Sequence, residues 1–385
     1  MNQPIVIVGG GPVGGTVALA LAGSGLAVTV LEARAAPEVH DPRAIALSEG
    51  SRLILQRLGV WNALESHATP MSTIHVSEKG RLGHTILTAE QVQRPALGYV
   101  VDYSALVGSV DQAMCDAGVD VVCGASVNAL LPQAASCQIR FMREGQAQEI
   151  SAQLAVLADG GRSLSSIQNL KRKVHEYQQH ALVARVHTEL PHNGVAYERF
   201  TPNGPVALLP WGDGYALVWT ASPERAEALC GLDEQAFLSQ LHQHFGDRQG
   251  AFVNVTGRSV FPLKLAWVRP VTAERIAVIG NAAQTLHPVA GQGFNLGLRD
   301  AWELAQILLS TPTEAIGSEA MLTQYRQSRR LDTGGGMLFT DLLVRTFSTD
   351  APALGAVRGA GLVALELLAP ARDFLLRKMS FGARG

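Results

Sequence analysis

The sequence predicts an α/β chain: a dinucleotide-binding, Rossmann-like layer, interrupted by a β-rich insertion and closed by C-terminal helices. Three observations predict it. A glycine-rich turn joins the first strand to the first helix, and an acid ends the second strand. Two later apolar strands, near 154–158 and 276–279, end in turns of small and polar residues. Between them, from about 182 to 265, apolar and polar residues alternate as in a sheet with one packed face.

The first element is the β-branched run Ile5-Val6-Ile7-Val8, followed by Gly9-Gly10-Gly11-Pro12-Val13-Gly14, a G-x-G-x-x-G. Gly9 permits the tight turn, Gly11 lets a pyrophosphate approach the backbone, and Gly14 lets helix and strand pack closely. The N–H groups at the helix start, with the helix dipole, favour phosphate charge. A second strand, Ala27 to Leu31, closes on Glu32, which can accept hydrogen bonds from both ribose hydroxyls. Glu32 also disfavours a 2′-phosphate, because two like charges would meet. It leaves NAD and FAD equally open.

Ser48 is placed to cap a helix to about Leu58, with Leu53, Ile54 and Leu58 inward. Residues from about 72 to 101 read as strands, and Asp102 precedes a helix from Tyr103 to about Ala117. Strands recur at Val119–Cys123, Ser126–Leu131, Gln138–Arg143 and Glu149–Ala158. Gly212-Asp213-Gly214 reads as a hairpin turn, and a helix is expected near Asp233–Phe245. Beyond residue 300 the chain is mainly helical. These elements predict a discontinuous nucleotide layer over 1–72, 98–180 and 268–330. The β-rich unit takes 73–97 and 181–267, and helices take 331–385.

A net charge of −2 gives no electrostatic reason to expect nucleic acid. Cys115, Cys123, Cys137 and Cys230 have neither CxxC nor metal-ligand spacing, which predicts reduced thiols in a cytoplasmic protein and no metal site. No signal peptide or membrane-spanning segment is visible, so the chain is expected to be soluble or held at a membrane surface only.

The strand at 154–158 ends in Asp159-Gly160-Gly161-Arg162-Ser163, which puts a carboxylate at the sheet edge where ligands bind. The plain alternative is an Asp capping its own turn. The third stretch is "GNAAQTLHPVAGQGFNLGLRDA", from Gly280 to Ala301. Together with the first turn, Glu32 and "RAIALS", these segments resemble the ubiquinone-biosynthesis hydroxylases. That family belongs to the flavoprotein aromatic hydroxylases of the para-hydroxybenzoate hydroxylase fold. The resemblance covers nearly the whole chain in order. Within the family, Asn281 in place of the usual Asp, followed by Gln284, is most similar to the branch acting on a prenylated methoxyphenol.

The resemblance implies an FAD-binding Rossmann-like domain of the glutathione-reductase type, interrupted by a β-sheet substrate domain. It implies FAD as cofactor and NAD(P)H as electron donor. It also implies a monooxygenase that hydroxylates a polyprenylated phenol with O2 through a flavin C4a-hydroperoxide. Gly9, Gly11, Pro12, Val13 and Gly14 would hold the pyrophosphate, and Glu32, with Ala33 and Arg34 beside it, the adenosine ribose. Arg43, Val127, Asp159 and Gly160 would line the cofactor. Gly280 and Asn281 would meet the ribityl chain, and the amide of Asn281 can donate as well as accept. Gly291, Gln292, Gly293, Phe294 and Asn295 would begin a helix whose N–H groups favour negative charge on the flavin.

Pro288 would present its carbonyl on the substrate side of the flavin, and His287 could move the phenol proton or serve as a structural donor. Leu209, Trp211, Trp219, Phe261 and Pro262 are candidates for an apolar substrate pocket, against a reading as ordinary sheet core. From Leu338 to Met379, apolar residues are interleaved with Arg345, Arg358, Arg372, Arg377 and Lys378. That pattern suits either peripheral contact with the inner membrane or a helical closure, with other quinone-biosynthesis proteins as partners. Two further readings stay open: a hydroxylase of a small soluble aromatic, or an FAD-containing non-catalytic scaffold. A flavin halogenase would typically carry Trp-x-Trp-x-Ile, which is absent.

Overall fold

A computed structural model describes residues 3–35, 41, 43–80, 83–167, 170–201, 203–286, 291–347 and 368–382. The chain opens with β1 (Ile5–Val8), α1 (Pro12–Leu21) and β2 (Val28–Glu32). Every residue of β1 is buried, as a strand covered on both faces requires. β3 (Ala44–Ser48) leads into α2 (Glu49–Arg57), and Ser48 caps that helix by accepting the Ser51 N–H. Ile54 and Leu55 form its buried apolar face, where Leu53, Ile54 and Leu58 were expected.

Next come α3 (Trp61–Leu64), β4 (Ala68–Met71), β5 (Thr73–Glu78), β6 (His84–Thr88) and β7 (Gly98–Asp102). Then follow α4 (Tyr103–Asp116), β8 (Asp120–Cys123), β9 (Ser126–Pro132), β10 (Cys137–Arg143), β11 (Gln146–Ala152) and β12 (Leu154–Leu157). The middle of the chain holds β13 (Lys171–Thr188), β14 (Val195–Phe200), β15 (Val206–Trp211), β16 (Gly214–Ala221), α5 (Pro223–Cys230), α6 (Glu234–Phe245) and β17 (Phe252–Arg269). The last elements are β18 (Thr272–Ala273), β19 (Ile276–Val278), β20 (Gln284–Thr285), α7 (Gln292–Ser310), α8 (Glu319–Phe347) and α9 (Ala369–Phe381).

The first sheet has the order β18-β19-β12-β1-β2-β8, and its five strands from β19 to β8 are parallel. Alternation along β1 divides the packing. Ile5 and Ile7 meet α1, α4, α7 and α8, while Val6 and Val8 meet the β9–β10–β11 meander. The chain leaves β1 for β2 on one side and returns as β12 on the other. Strand order therefore reverses beside β1, where open α/β sheets bind ligands.

The second sheet has eight strands in the order β20-β17-β13-β16-β15-β14-β5-β6. Leu182, Leu208, Leu217 and Trp219 on one face pack under α5 and α6. β13 starts at Lys171, so the expected boundary at 180/181 falls inside one long strand that pairs with β17 along most of its length. The small sheet β3-β7-β4 lies between the two larger ones, through the cluster of Met71, Val100 and Ala196 with Ala46, Leu209 and Trp211.

Candidate cofactor and substrate site

Parallel pairing sets the site. Val8 lies opposite Leu31 on one side and Leu157 on the other, and Leu157 lies opposite Val278. The turns that follow, at Gly9, Glu32, Asp159 and Gly280, therefore leave the same edge of the sheet. Close approaches tie them together. A Cβ on Gly9 would lie 2.9 Å from the Asp159 Cα, and one on Gly280 would lie 2.9 Å from Val13 Cγ1. One on Gly161 would lie 3.6 Å from the Ala282 Cα.

Two glycines of the first turn do different work. A Cβ on Gly14 would sit 1.9 Å from the Gly9 carbonyl oxygen, so helix and turn could not both keep their places. Nothing lies within 4 Å of the Cβ position on Gly11. It borders open space at the start of α1, which has no side-chain cap. This cradle fits a pyrophosphate.

The Glu32 carboxylate accepts from the Gly10 N–H at 2.6 Å through Oε2 and from the Arg34 N–H at 2.8 Å through Oε1. Arg34 Nε adds a bond at 3.1 Å, and its guanidinium continues to Asp111 at 3.2 and 3.3 Å. The acid is thus fixed 8% exposed beside the glycine turn, with one lone-pair site on Oε2 left for a sugar hydroxyl. Ala33 beside it is exposed.

Asp159 binds its own turn. It accepts from the Gly161 N–H at 2.8 Å and from the N–H and hydroxyl of Ser163 at 2.8 and 2.7 Å. The Ser163 hydroxyl also lies 3.4 Å from the Val127 carbonyl oxygen, joining this turn to β9. Gly160, at φ +72, has open space at its Cβ position. The capping alternative describes the Asp159 side chain, and the same bonds hold it at the sheet edge.

The third stretch is braced from behind. Asp300 on α7 accepts from the Gly280 N–H at 3.1 Å, from the Gln284 side-chain amide, and from Arg329 Nε on α8 at 2.7 Å. Arg329 also donates to Asp332 at 2.9 Å, as does Arg299. Burial raises the Asp300 carboxyl, opposed by Arg329, Gln284 and the Gly280 amide. β20 pairs with β17, so this turn belongs to both large sheets. Asn281 is exposed at the turn. His287 and Pro288 lie outside the described residues.

The Asn295 side chain holds the helix start in place. Its side-chain oxygen accepts from the Ser48 N–H at 2.8 Å and the Ser51 hydroxyl at 2.7 Å, and its amide donates to the Ala46 and Gly291 carbonyls at 2.9 and 2.8 Å. An amide with four partners braces the helix start against β3 and α2 rather than reaching a ligand. Gly291, Gln292, Gly293 and Phe294 open α7 without a side-chain cap, and a Cβ on Gly291 would lie 3.2 Å from the Ala46 Cβ.

The pocket candidates separate by the two-residue period of a strand. Leu209 and Trp211 face the small sheet and lie in the cluster that holds Ala46 and Val100. Phe261, 38% exposed, faces Arg43, whose guanidinium stands 5.6 Å from both the Phe261 and Tyr103 rings and is held by Asp41. Trp219 is a correction. It is 2% exposed and packs against Phe237 at 6.1 Å and His244 at 4.8 Å, beneath α6 on the opposite face. Pro262, next to Phe261, falls on the Trp219 side for the same reason.

Sequence reasoning missed Asp300, Arg329 and the link from Trp211 Nε1 to Asp102 Oδ1 at 3.1 Å. Asp102 starts α4 without capping it, because its carboxylate serves the other sheet. A detectable signal was the acid among the apolar residues of α7. Among the described residues no group of three His, Cys, Asp or Glu could hold a metal ion. The open cradle at Gly11, the fixed acid at Glu32 and the braced turn at Gly280 suit a flavin dinucleotide.

Comparison with known proteins agrees with this geometry. A family described as an FAD binding domain matches residues 2–333. The chain is 34% identical to the 3-demethoxyubiquinol 3-hydroxylase of Escherichia coli, over 95% of each chain. It is 32% identical to the ubiquinone hydroxylase UbiL of Rhodospirillum rubrum, over 97% of this chain and 88% of that protein. The crystal structure of p-nitrophenol 4-monooxygenase PnpA from Pseudomonas putida superposes with a TM-score of 0.80 at 16% identity, covering 100% of this chain and 99% of that one.

Proposed function

The chain belongs to the FAD binding domain family, and from that premise we propose that it is an FAD-dependent monooxygenase hydroxylating the ring of a polyprenylated ubiquinone precursor. The observation that carries this reading is the convergence of four strand ends on one edge, the last of them joined to the second sheet through β20. The likeness to two ubiquinone hydroxylases over nearly the whole chain supports the substrate class. Asn281 and Gln284 favour a prenylated methoxyphenol within it.

FAD, when bound, supplies the electron transfer and oxygen chemistry that no side chain here can supply. NAD(P)H is the proposed donor and O2 the oxidant. Gly9, Gly11, Pro12, Val13 and Gly14 bind the pyrophosphate, and Glu32, flanked by Ala33 and Arg34, orients the ribose. Arg43, Val127, Asp159, Gly160, Gly280 and Asn281 line the cofactor's length, and the start of α7 at Gly291–Phe294 favours charge at its ring edge. Leu209, Trp211 and Phe261 form the apolar wall that receives the phenol and excludes water. His287 and Pro288 are proposed for the substrate side of the flavin.

The experiment is anaerobic reduction of the FAD-loaded protein by NADH or NADPH, followed by oxygen and a short-chain prenylated methoxyphenol. Hydroxylated phenol supports the reading, whereas uncoupled peroxide alone defeats it. Complementation of a deletion strain, with analysis of accumulated quinone intermediates, fixes the step.

No described helix is long and apolar enough to cross a membrane. A prenyl tail must still leave the bilayer. Phe374, 64% exposed on α9, stands beside Arg377 and Lys378 and suits peripheral membrane contact. Flotation with anionic liposomes tests this; equal recovery of full-length protein and protein lacking residues 368–385 in the soluble fraction removes it.

A further inference from the structure

The face of the eight-stranded sheet that carries Leu209 and Phe261 also carries an acid. In β14, Tyr197 belongs with the cluster under α6, while Ala196 packs with Val100, Leu209 and Trp211. Alternation puts Glu198 on the Ala196 side. Pairing then defines its place. Tyr197 stands opposite Leu208, which sets Ala196 level with Leu209, and Glu198 stands between Val76 and Ala207. The row continues through Val218 and Val183 to Ser259. Phe261 occupies the next row along, opposite Ala181. Along the strand direction Glu198 lies between the rows of Leu209 and Phe261; it is on the strand next to that of Leu209 and four strands from that of Phe261.

No hydrogen bond or ion pair to the Glu198 carboxylate forms among the described residues. Burial alone pushes its carboxyl up to about 7, close to a useful proton-transfer range. Its side chain is only half-buried by surface, so it can exchange protons with solvent. Among the described residues this face also carries Glu78 on β5 and Arg185 and His187 on β13, while Arg43 meets it at Phe261 and Asp102 at Trp211. Arg185 pairs with Asp213 at 2.8 Å and stands 4.7 Å from the Trp211 ring, and Glu78 has a partner of its own. An acid on an apolar wall, with no side-chain partner among the described residues, is one that a ligand hydroxyl can complete.

We propose that Glu198 contacts the phenol hydroxyl of the substrate and accepts its proton as the ring is oxygenated. The proposal rests on the hydroxylase reading above. In this step the phenol O–H bond breaks and the proton goes to a Glu198 carboxylate oxygen. The electron pair stays on the phenolate oxygen and enriches the ring carbon that receives the oxygen atom. Glu198 then returns the proton to water.

The test uses FAD-loaded protein and a short-chain prenylated methoxyphenol, beside its O-methyl ether, which has no proton to give. Without reductant, dissociation constants of both are measured by flavin fluorescence. Wild type should bind the phenol about tenfold more tightly than the ether, as a hydrogen bond to a charged group implies. Glu198→Gln should lose that preference and the kcat limb near pH 7, while NAD(P)H still reduces its flavin. Glu198→Asp should keep the limb with a raised KM, which covers a Gln variant that folds poorly. Glu78→Gln should change neither readout. An unchanged preference and pH profile in Glu198→Gln overturns the proposal. A wild type that reduces its flavin but hydroxylates no phenol overturns the parent reading instead, and the proposal with it.

Discussion

Arg329 on α8 donates its Nε–H to Asp300 on α7 at 2.7 Å, with both side chains almost fully buried at 7% and 2% exposure. Asp300 in turn holds the Gly280 amide, so a charge from the late helices fixes the turn at the cofactor edge. Removing one partner of a buried pair costs about 3–5 kcal/mol. Asp300→Ala should therefore lower the unfolding free energy by about that amount in urea titrations. It should also release FAD on gel filtration. A wild-type midpoint with full flavin content would reject this role.

Gly14 and Gly11 predict opposite outcomes. Gly14→Ala forces a methyl to within 1.9 Å of a carbonyl oxygen and should destabilise the protein itself, by about 1–3 kcal/mol. Gly11→Ala meets nothing within 4 Å, so the apoprotein should melt normally while flavin binding falls. Paired thermal melts and flavin-to-protein absorbance ratios check both.

Glu32→Ala leaves the Gly10 N–H and the N–H and Nε–H of Arg34 without their acceptor. Loss of hydrogen bonds to a charged group should weaken FAD by about tenfold to a hundredfold. Titration of apoprotein with FAD, followed by fluorescence, measures it.

The two tryptophans should separate substrate effects from stability. Trp211→Phe loses the bond to Asp102 and should raise KM for the phenol with little change in melting. Trp219→Ala empties a packed site under α6 and should cost about 3–5 kcal/mol. If Trp219→Phe alone changed substrate preference, the division of the two faces would be wrong.

His75 predicts acid sensitivity. Burial, reinforced by Arg248 and His84, pulls its ring down to about 4 from the ordinary 6.5. In that window the unfolded chain binds a proton that the fold does not, so stability is full above about pH 6.5 and falls as pH drops towards 4. Neither ring nitrogen has a hydrogen-bond partner among the described residues, so His75→Phe should flatten this slope in urea titrations run from pH 7 to pH 4.5.

The sequence by itself determined the parallel layer and the strand ends that carry Gly9, Glu32, Asp159 and Gly280, while FAD rather than NAD came from the resemblance of the three segments together. The strand ends are local features: a glycine turn, a run of apolar residues and an acid or small residue at its end are each written within a short stretch of chain. Tertiary structure decided which groups share a face or a charge. Trp211 and Trp219 look alike in sequence, yet pairing register sends one towards the cofactor layer and the other under α6. The sequence marks Asn295 only as part of a helix start; that its side chain ties this start to Ser48, Ser51 and Ala46 appears only in the fold. Asp300 and Arg329, and Asp102 and Trp211, are far apart in the chain, and their pairing follows only from how helices and sheets pack. Side-chain direction in a strand depends on its neighbours' register, and a buried charge depends on its partner; neither is a property of a short stretch of chain.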